Sequence, residues 1–95
     1  MQINIKMLFK TKRWIYHVSE SSFVKNKGYR VSIVFENVQG YFPTGGNGKE
    51  PWYWGGDLKD AETICEARNA ERGISKEEAM FILMSSMYPA ATGRN

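Results

Sequence analysis

Tyr29-Arg-Val-Ser-Ile-Val-Phe-Glu36 is the stretch of this sequence that decides the fold. Its odd-numbered residues are apolar: Tyr29, Val31, Ile33 and Phe35. An apolar residue at every second position indicates a β-strand with one buried face, since successive side chains of a strand point to opposite sides. We therefore expect the odd-numbered residues to face the helices that follow, while Arg30, Ser32 and Glu36 face the other side of the sheet.

Two further strands are predicted before this one. Residues 2–9 alternate, with Ile3, Ile5 and Met7 on one face, and residues 13–18 are rich in aromatic and β-branched side chains. A basic turn separates the two segments, so the simplest interpretation is a β-hairpin. The Ser-Glu-Ser-Ser segment that follows is expected to form a loop.

Helical signals begin at Asp57, which is suited to cap a helix over residues 58–72, and Gly73 is suited to end that helix in a left-handed conformation. Ser75 opens a Ser-Lys-Glu-Glu capping box, in which the serine and the glutamate three residues later satisfy each other's amides. A second helix is expected to follow. Its residues 79–84 are apolar on nearly every side, which predicts burial against the sheet and the first helix, or contact with a partner.

Strands followed by helices predict an α+β fold, with an antiparallel sheet of three to four strands followed by two C-terminal helices packed on one face. A chain of 95 residues has room for one thin core. We expect a single α+β domain over residues 1–88 and a flexible tail at residues 89–95.

Composition excludes several classes of protein. With 42% hydrophobic and 24% charged residues, the sequence is typical of a globular chain, and its apolar runs are shorter than the roughly 20 residues of a membrane span. No signal peptide is recognisable at the N-terminus, and the single cysteine, Cys65, cannot form an internal disulfide. We expect a cytoplasmic protein with no membrane partner.

Motifs for catalysis or metal binding are not recognisable. His17 is the only histidine and Cys65 is expected to pack in the core, so neither a metal site nor a catalytic dyad is predicted. The Gly-rich segment at residues 45–49 is followed by Glu50, where a phosphate-binding loop would have Ser or Thr. We therefore predict no cofactor and no enzymatic activity.

A glycine-rich loop over residues 40–57 is the leading candidate for a contact site. Its five aromatic residues are Tyr41, Phe42, Trp52, Tyr53 and Trp54. The two aromatic flanks are expected to pair as a short ribbon around a tight turn at Asn47-Gly48. Two interpretations remain open: the rings form a buried lid, or they form an exposed surface that binds a partner.

Charge is unevenly distributed along the chain. Residues 1–30 hold seven of the 13 cationic residues and one of the 10 acidic residues. Such a cluster either keeps strand edges soluble or binds phosphates. The cations that would bind nucleic acid, with Trp14 or Tyr16 stacking on bases, are Lys10, Lys12, Arg13, Lys25, Lys27 and Arg30.

Several segments together resemble small uncharacterised proteins of bacteriophages and prophages. They are Tyr41-Phe-Pro-Thr-Gly45, Pro51-Trp-Tyr-Trp-Gly55, Asn69 and Gly73, Ile74-Ser75, and Ser85-Ser-Met87, and the resemblance spans about residues 29–87. It implies a mobile-element origin and a bacterial cytoplasm, and it implies no catalytic residues. The expected function is that of a non-enzymatic binding protein that contacts or inhibits a host macromolecule, such as a defence or replication component, through the aromatic loop. Nucleic-acid binding is the alternative, and a homodimer is a further option for the partner.

Overall fold

The computed structural model describes residues 4–44 and 52–88. In chain order the elements are α1 (Ile5–Thr11), β1 (Trp14–His17), a 3-10 helix (Glu20–Ser22), β2 (Phe23–Val24), β3 (Gly28–Arg30), β4 (Ser32–Phe35), β5 (Phe42–Pro43), β6 (Tyr53–Trp54), α2 (Leu58–Glu71) and α3 (Lys76–Met87). The strands pair in an antiparallel manner and two C-terminal helices follow them, so the predicted α+β class is confirmed. The predicted tail at residues 89–95 lies outside the described residues.

The stretch from Gly28 to Phe35 is central to the whole fold, because its two halves are the middle strands of two three-stranded sheets. One sheet has the order β1-β4-β5 and the other has the order β2-β3-β6. The two arms of the aromatic loop therefore do not pair with each other as a ribbon. Instead β5 pairs with β4, and β6 pairs with β3, so each arm extends a different sheet.

Residues Ile5–Thr11 form helix α1, so the strand predicted over residues 2–9 and its hairpin are wrong. Residues 2 and 3 of that predicted strand lie outside the described residues. The side chain of Asn4 accepts hydrogen bonds from the backbone amides of Lys6 and Met7, as the N-cap of α1. Ile5, Leu8 and Phe9 are half-buried, at the spacing of one helix face. The predicted strand instead placed Ile5 and Met7 on one face, but Met7 is 57% exposed, so the burial pattern and the cap both identify a helix.

Both faces of β4 are buried, which corrects the predicted orientation of the central strand. Val34 packs with Ile15 of β1 and Ile82 of α3. The Phe35 ring meets Phe9 of α1 at 5.0 Å between centroids, and Ile33 shares that face by alternation. Ile33 and Phe35 thus face away from α3.

The preceding part of the strand follows the prediction. Val31 packs with Ala61 and Cys65 of α2, and Tyr29 packs against the same cluster. Ser32 was expected on an exposed face, but it is buried. The orientation changes between Val31 and Ser32, where the chain passes from one sheet to the other.

Helix α2 covers the free edge of β1. The side-chain carbonyl of Asn69 accepts a hydrogen bond from the Tyr16 amide (2.8 Å), and its amide group donates to the Tyr16 carbonyl (3.0 Å). The guanidinium of Arg72 donates to the Trp14 carbonyl (2.8 Å). Three backbone groups on the open edge of β1 are therefore paired by side chains of α2 and of its C-cap residue Arg72.

The predicted helix caps are confirmed. Asp57 accepts a hydrogen bond from the amide of Asp60, and Ser75 accepts one from the amide of Glu78. Gly73 adopts a φ of 82°, as a left-handed helix stop requires. The capping box is only half formed, because the Glu78 carboxylate binds Arg13 instead of returning to the cap (2.8 Å).

Candidate binding surfaces

The aromatic residues of the loop are largely exposed. Tyr41, Trp52 and Trp54 expose 51%, 45% and 41% of their surface, while Phe42 and Tyr53 are half-buried. The described residues of the loop therefore do not form a fully buried lid. The predicted tight turn at Asn47-Gly48 and the Gly-rich segment at residues 45–49 lie outside the described residues.

Trp52 is held in place on α2 and on both sheets. Its ring stacks on Tyr16 with centroids 5.8 Å apart, and the guanidinium of Arg68 lies 4.5 Å from its centroid. Its carbonyl accepts a hydrogen bond from the Val31 amide (3.0 Å), and its amide donates to the Thr44 hydroxyl (3.0 Å). Trp52 is thus a rigid side chain that still reaches solvent.

A row of three rings crosses the β2-β3-β6 sheet beside it. Phe23 is paired with Tyr29, and Tyr29 with Trp54, so the three side chains lie on one face. The Phe23 and Tyr29 rings meet edge to face at 5.0 Å, and Phe23 is 52% exposed. Trp52 lies two residues before Trp54 along an extended backbone, on the same side. These four residues, Phe23, Tyr29, Trp52 and Trp54, are called the aromatic surface below.

Gly28 allows β6 to approach β3 closely enough to build this surface. Its φ is 105°, and a Cβ there would collide with the backbone carbonyl of Trp54. Neither Gly28 nor Phe23 was among the predicted contact residues. The available signal was the Asn26-Lys27-Gly28 turn, in which Asn26 also has a positive φ of 72°.

The other three predicted loop residues lie elsewhere. Tyr41 stacks on His17 at 5.7 Å, and Phe42 packs edge to face on Phe35 at 5.3 Å, both in the β1-β4-β5 sheet. Tyr53 is paired with Arg30, so it points to the opposite face of its sheet from Trp54, and the amine of Lys27 lies 5.1 Å from its ring centroid. The five predicted residues do not form one patch.

The predicted cationic residues are also divided. Lys10 is in α1 and Lys12 caps its C-terminal end, whereas Lys25, Lys27 and Arg30 lie in the β2-β3 hairpin. Arg13 joins neither group, because its guanidinium binds two carboxylates. It contacts Glu36 at 2.7 Å and Glu78 at 2.8 Å. Both hydrogen bonds raise the pKa of Arg13, and the one from Arg13 to Glu36 lowers the pKa of Glu36 below its usual value.

An open cleft of about 260 Å³ separates α2 from α3 above β1, and both His17 and Cys65 line it. Burial lowers the pKa of His17 from 6.5 and raises that of Cys65 to about 11, so both are neutral at pH 7. A protonated thiol is a poor nucleophile. The Nδ1 atom of His17 is buried without a hydrogen-bond partner among the described residues.

Helix α3 carries a second exposed apolar surface. Ala79 and Leu83 pack toward β1 and β4 around the buried Ile82, whereas the opposite side of the helix is largely exposed. On that side the Arg13 guanidinium lies 5.5 Å from the Phe81 ring centroid. The exposed residues are Met80, Phe81, Met84, Met87 and Tyr88, which we call the α3 stripe. The sequence predicted that this helix is buried or that it contacts a partner. Only the side that faces β1 and β4 is buried.

Neither residues 4–44 nor residues 52–88 contain a helix that is long and apolar enough to cross a membrane. Within the same residues, no three His, Cys, Asp or Glu side chains are grouped so that they could hold a metal ion. No protein-family model matches the chain, and no match was found among curated proteins or solved structures.

Proposed function

We propose that this chain is a small non-enzymatic binding protein of phage or mobile-element type. In this proposal it contacts or inhibits a host macromolecule, such as a defence or replication component, and the partner is a protein. The observation that carries the proposal is the aromatic surface, on which Phe23, Trp52 and Trp54 are each about half exposed on one side of a sheet.

The size of the surface supports binding. Half-exposed aromatic side chains contribute about 100 Å² each, so the surface offers roughly 300 Å² of ring area. Patches of about 300 to 600 Å² are the largest on a typical monomer and are often functional. Three exposed rings that lie together therefore indicate a binding site more strongly than scattered apolar residues do.

Its chemistry favours a protein partner. Trp, Tyr and Arg are the residues most enriched at the energetic centres of protein interfaces, and here Arg68 lies against Trp52. The rings are also rigid, since Trp52 is fixed by Tyr16 and Tyr29 packs on the α2 cluster. A rigid aromatic surface loses little conformational entropy when a partner binds.

Strand β6 provides a matched pair of variants for the test. Trp54 and Tyr53 are adjacent in the same two-residue strand and point to opposite faces of the sheet. Immobilised protein should capture a defined bacterial host protein, and Trp54→Ala should lose that capture while Tyr53→Ala retains it. Circular dichroism should show that both variants are folded. Equal capture by the two variants would exclude the aromatic surface as the binding site.

Nucleic-acid binding is the second candidate, and it is favoured by a different observation. On the face opposite Trp54, Tyr53 is accompanied by Arg30, its register partner, and by Lys27. Cations beside an aromatic ring are typical of single-strand binding sites. In this case single-stranded DNA should bind with an affinity that falls steeply with salt, and Tyr53→Ala rather than Trp54→Ala should weaken it. Absence of binding at low salt would exclude this candidate.

A further inference from the structure

The α3 stripe is a continuous apolar surface on a helix whose other side is already packed. Its residues lie at positions i, i+1, i+4, i+7 and i+8 starting from Met80, which places them within roughly 120° of the helix circumference. Their exposure ranges from 52% at Met84 to 76% at Tyr88. Helix α3 is therefore apolar on two sides. The inner side packs on β1 and β4, whereas the stripe stays more than half exposed, with the Arg13 guanidinium 5.5 Å from the Phe81 ring centroid.

The area of the stripe approaches what a stable dimer needs. With more than half of each side chain accessible, it offers roughly 500 to 600 Å² of surface, close to the 600 Å² or so that each partner buries in the smallest specific interfaces. Lys76 and Glu77 flank it at the first turn of the helix and are exposed. They would add a polar rim to the interface.

The C-terminal segment of this sequence is poorly suited to cover this surface. Residues 89–95 follow directly after Tyr88 and read Pro-Ala-Ala-Thr-Gly-Arg-Asn. Their apolar side chains are one proline ring and two methyl groups, which are too small to bury five large side chains.

We propose that the α3 stripe is the interface of a two-fold homodimer, in which α3 packs antiparallel against α3 of a second copy. The spacing suits self-association, because Met80 and Met87, as well as Phe81 and Tyr88, are separated by seven residues. With the two-fold axis near Ile82, Met80 of one copy lies opposite Met84 of the other. Unbranched methionine side chains adapt readily to such a contact.

Charge selects the antiparallel arrangement. In a parallel pair Lys76 would meet Lys76 of the second copy, and Glu77 would meet Glu77, so like charges would oppose association. In the antiparallel pair Lys76 lies beside Tyr88 of the second copy, where its amine can contact the ring. The dipoles of two antiparallel helices also attract each other.

The dimer is independent of the aromatic surface, which lies on the β2-β3-β6 sheet. A two-fold dimer would present two aromatic surfaces and would bind a repeated partner more tightly than one copy does. Failure of partner capture and failure of dimerisation are thus separate results, measured by different experiments.

Sedimentation velocity of the full chain at micromolar to millimolar concentrations tests the proposal. The wild type should sediment as a dimer, and Met84→Glu should sediment as a monomer, because it brings two carboxylates into the apolar centre of the interface. Met7→Glu is the matched control, since Met7 of α1 is 57% exposed and lies outside the stripe. This control should remain dimeric.

Cysteine cross-linking tests the orientation of the helices. The double variant Lys76→Cys, Tyr88→Cys should form disulfide-linked dimers on oxidation, whereas Lys76→Cys alone should not, because the two copies of residue 76 lie at opposite ends of an antiparallel pair. A monomeric wild type, a dimeric Met84→Glu variant or a monomeric Met7→Glu variant would overturn the dimer. Cross-linking by Lys76→Cys alone would overturn the antiparallel arrangement.

Discussion

Replacing Asn69 tests whether α2 stabilises the free edge of β1. The residue is 4% exposed, and its side chain satisfies both the amide and the carbonyl of Tyr16, at 2.8 and 3.0 Å. Leucine has the same branched arrangement of four side-chain heavy atoms and can form neither hydrogen bond. Asn69→Leu therefore leaves a donor and an acceptor of Tyr16 unpaired beneath α2, while the branched shape of the side chain is kept.

The magnitude follows from the two lost bonds. An unpaired buried polar group costs about 1 to 3 kcal/mol, and both groups of Tyr16 are affected. Partial access of water to the half-buried Tyr16 reduces the cost, while the two methyl groups that replace the amide oxygen and nitrogen offset some of it. We expect the free energy of unfolding to fall by about 2 to 4 kcal/mol, a large fraction of the 5 to 15 kcal/mol typical of a domain.

Urea denaturation followed by far-UV circular dichroism gives the measurement. Ala67→Leu is the control, because residue 67 lies on the same helix and is exposed, where substitutions change stability by about 0.5 kcal/mol or less. If the variants and the wild type have the same m-value, a shift in the urea midpoint reports a change in the free energy of unfolding. A loss below 1 kcal/mol for Asn69→Leu, or an equal loss for both variants, would refute the role assigned to Asn69.

Three other predictions concern the core, a helix stop and pH. Ile33→Ala should cost about 2 to 5 kcal/mol in urea denaturation, since Ile33 is 2% exposed, and a loss below 1 kcal/mol would contradict its place in the core. Gly73→Val should lower stability by about 1 to 3 kcal/mol through its positive φ, whereas the exposed Lys76→Ala should change it little; equal effects would remove the argument from φ. Because the pKa of His17 in the folded state lies below 6.5, the unfolded state binds its proton first, and stability should fall as pH drops below about 6.5. His17→Phe should flatten this dependence between pH 7.5 and 5.5, and an unchanged slope would show that His17 does not titrate there.

Local signals in the sequence were enough to place the two C-terminal helices. A cap acts through its own backbone neighbours, so Asp57, Ser75 and Gly73 specify helix ends without reference to the rest of the chain. The period of two over residues 29–35 likewise identified the central extended stretch, although the structure divides it into β3 and β4. It did not show that β4 is buried on both faces. Val34 is apolar whichever face of the strand it occupies, and only the position of α3 decides which helix each face contacts.

For the aromatic surface, too, the sequence supplied the residues and the tertiary structure decided their exposure. The sequence singled out Trp52 and Trp54 by composition, but their exposure depends on what packs against them. Phe23 joins them only because β2 pairs with β3, and Gly28 matters only because the β6 backbone passes beside it.

The N-terminal segment and α3 illustrate which features the sequence determined by itself and which features depended on the tertiary structure. Ile3, Ile5 and Met7 fit one face of a strand, whereas Ile5, Leu8 and Phe9 fit one face of a helix. The contact of Phe9 with Phe35 fixes the side that is buried. For α3 the sequence established an apolar helix, and only the fold decided that Ile82 packs inward while Met84 stays exposed. Caps and periodicity act over a few residues, whereas burial is a property of groups far apart in the chain, so it is settled only when the sheets and helices meet.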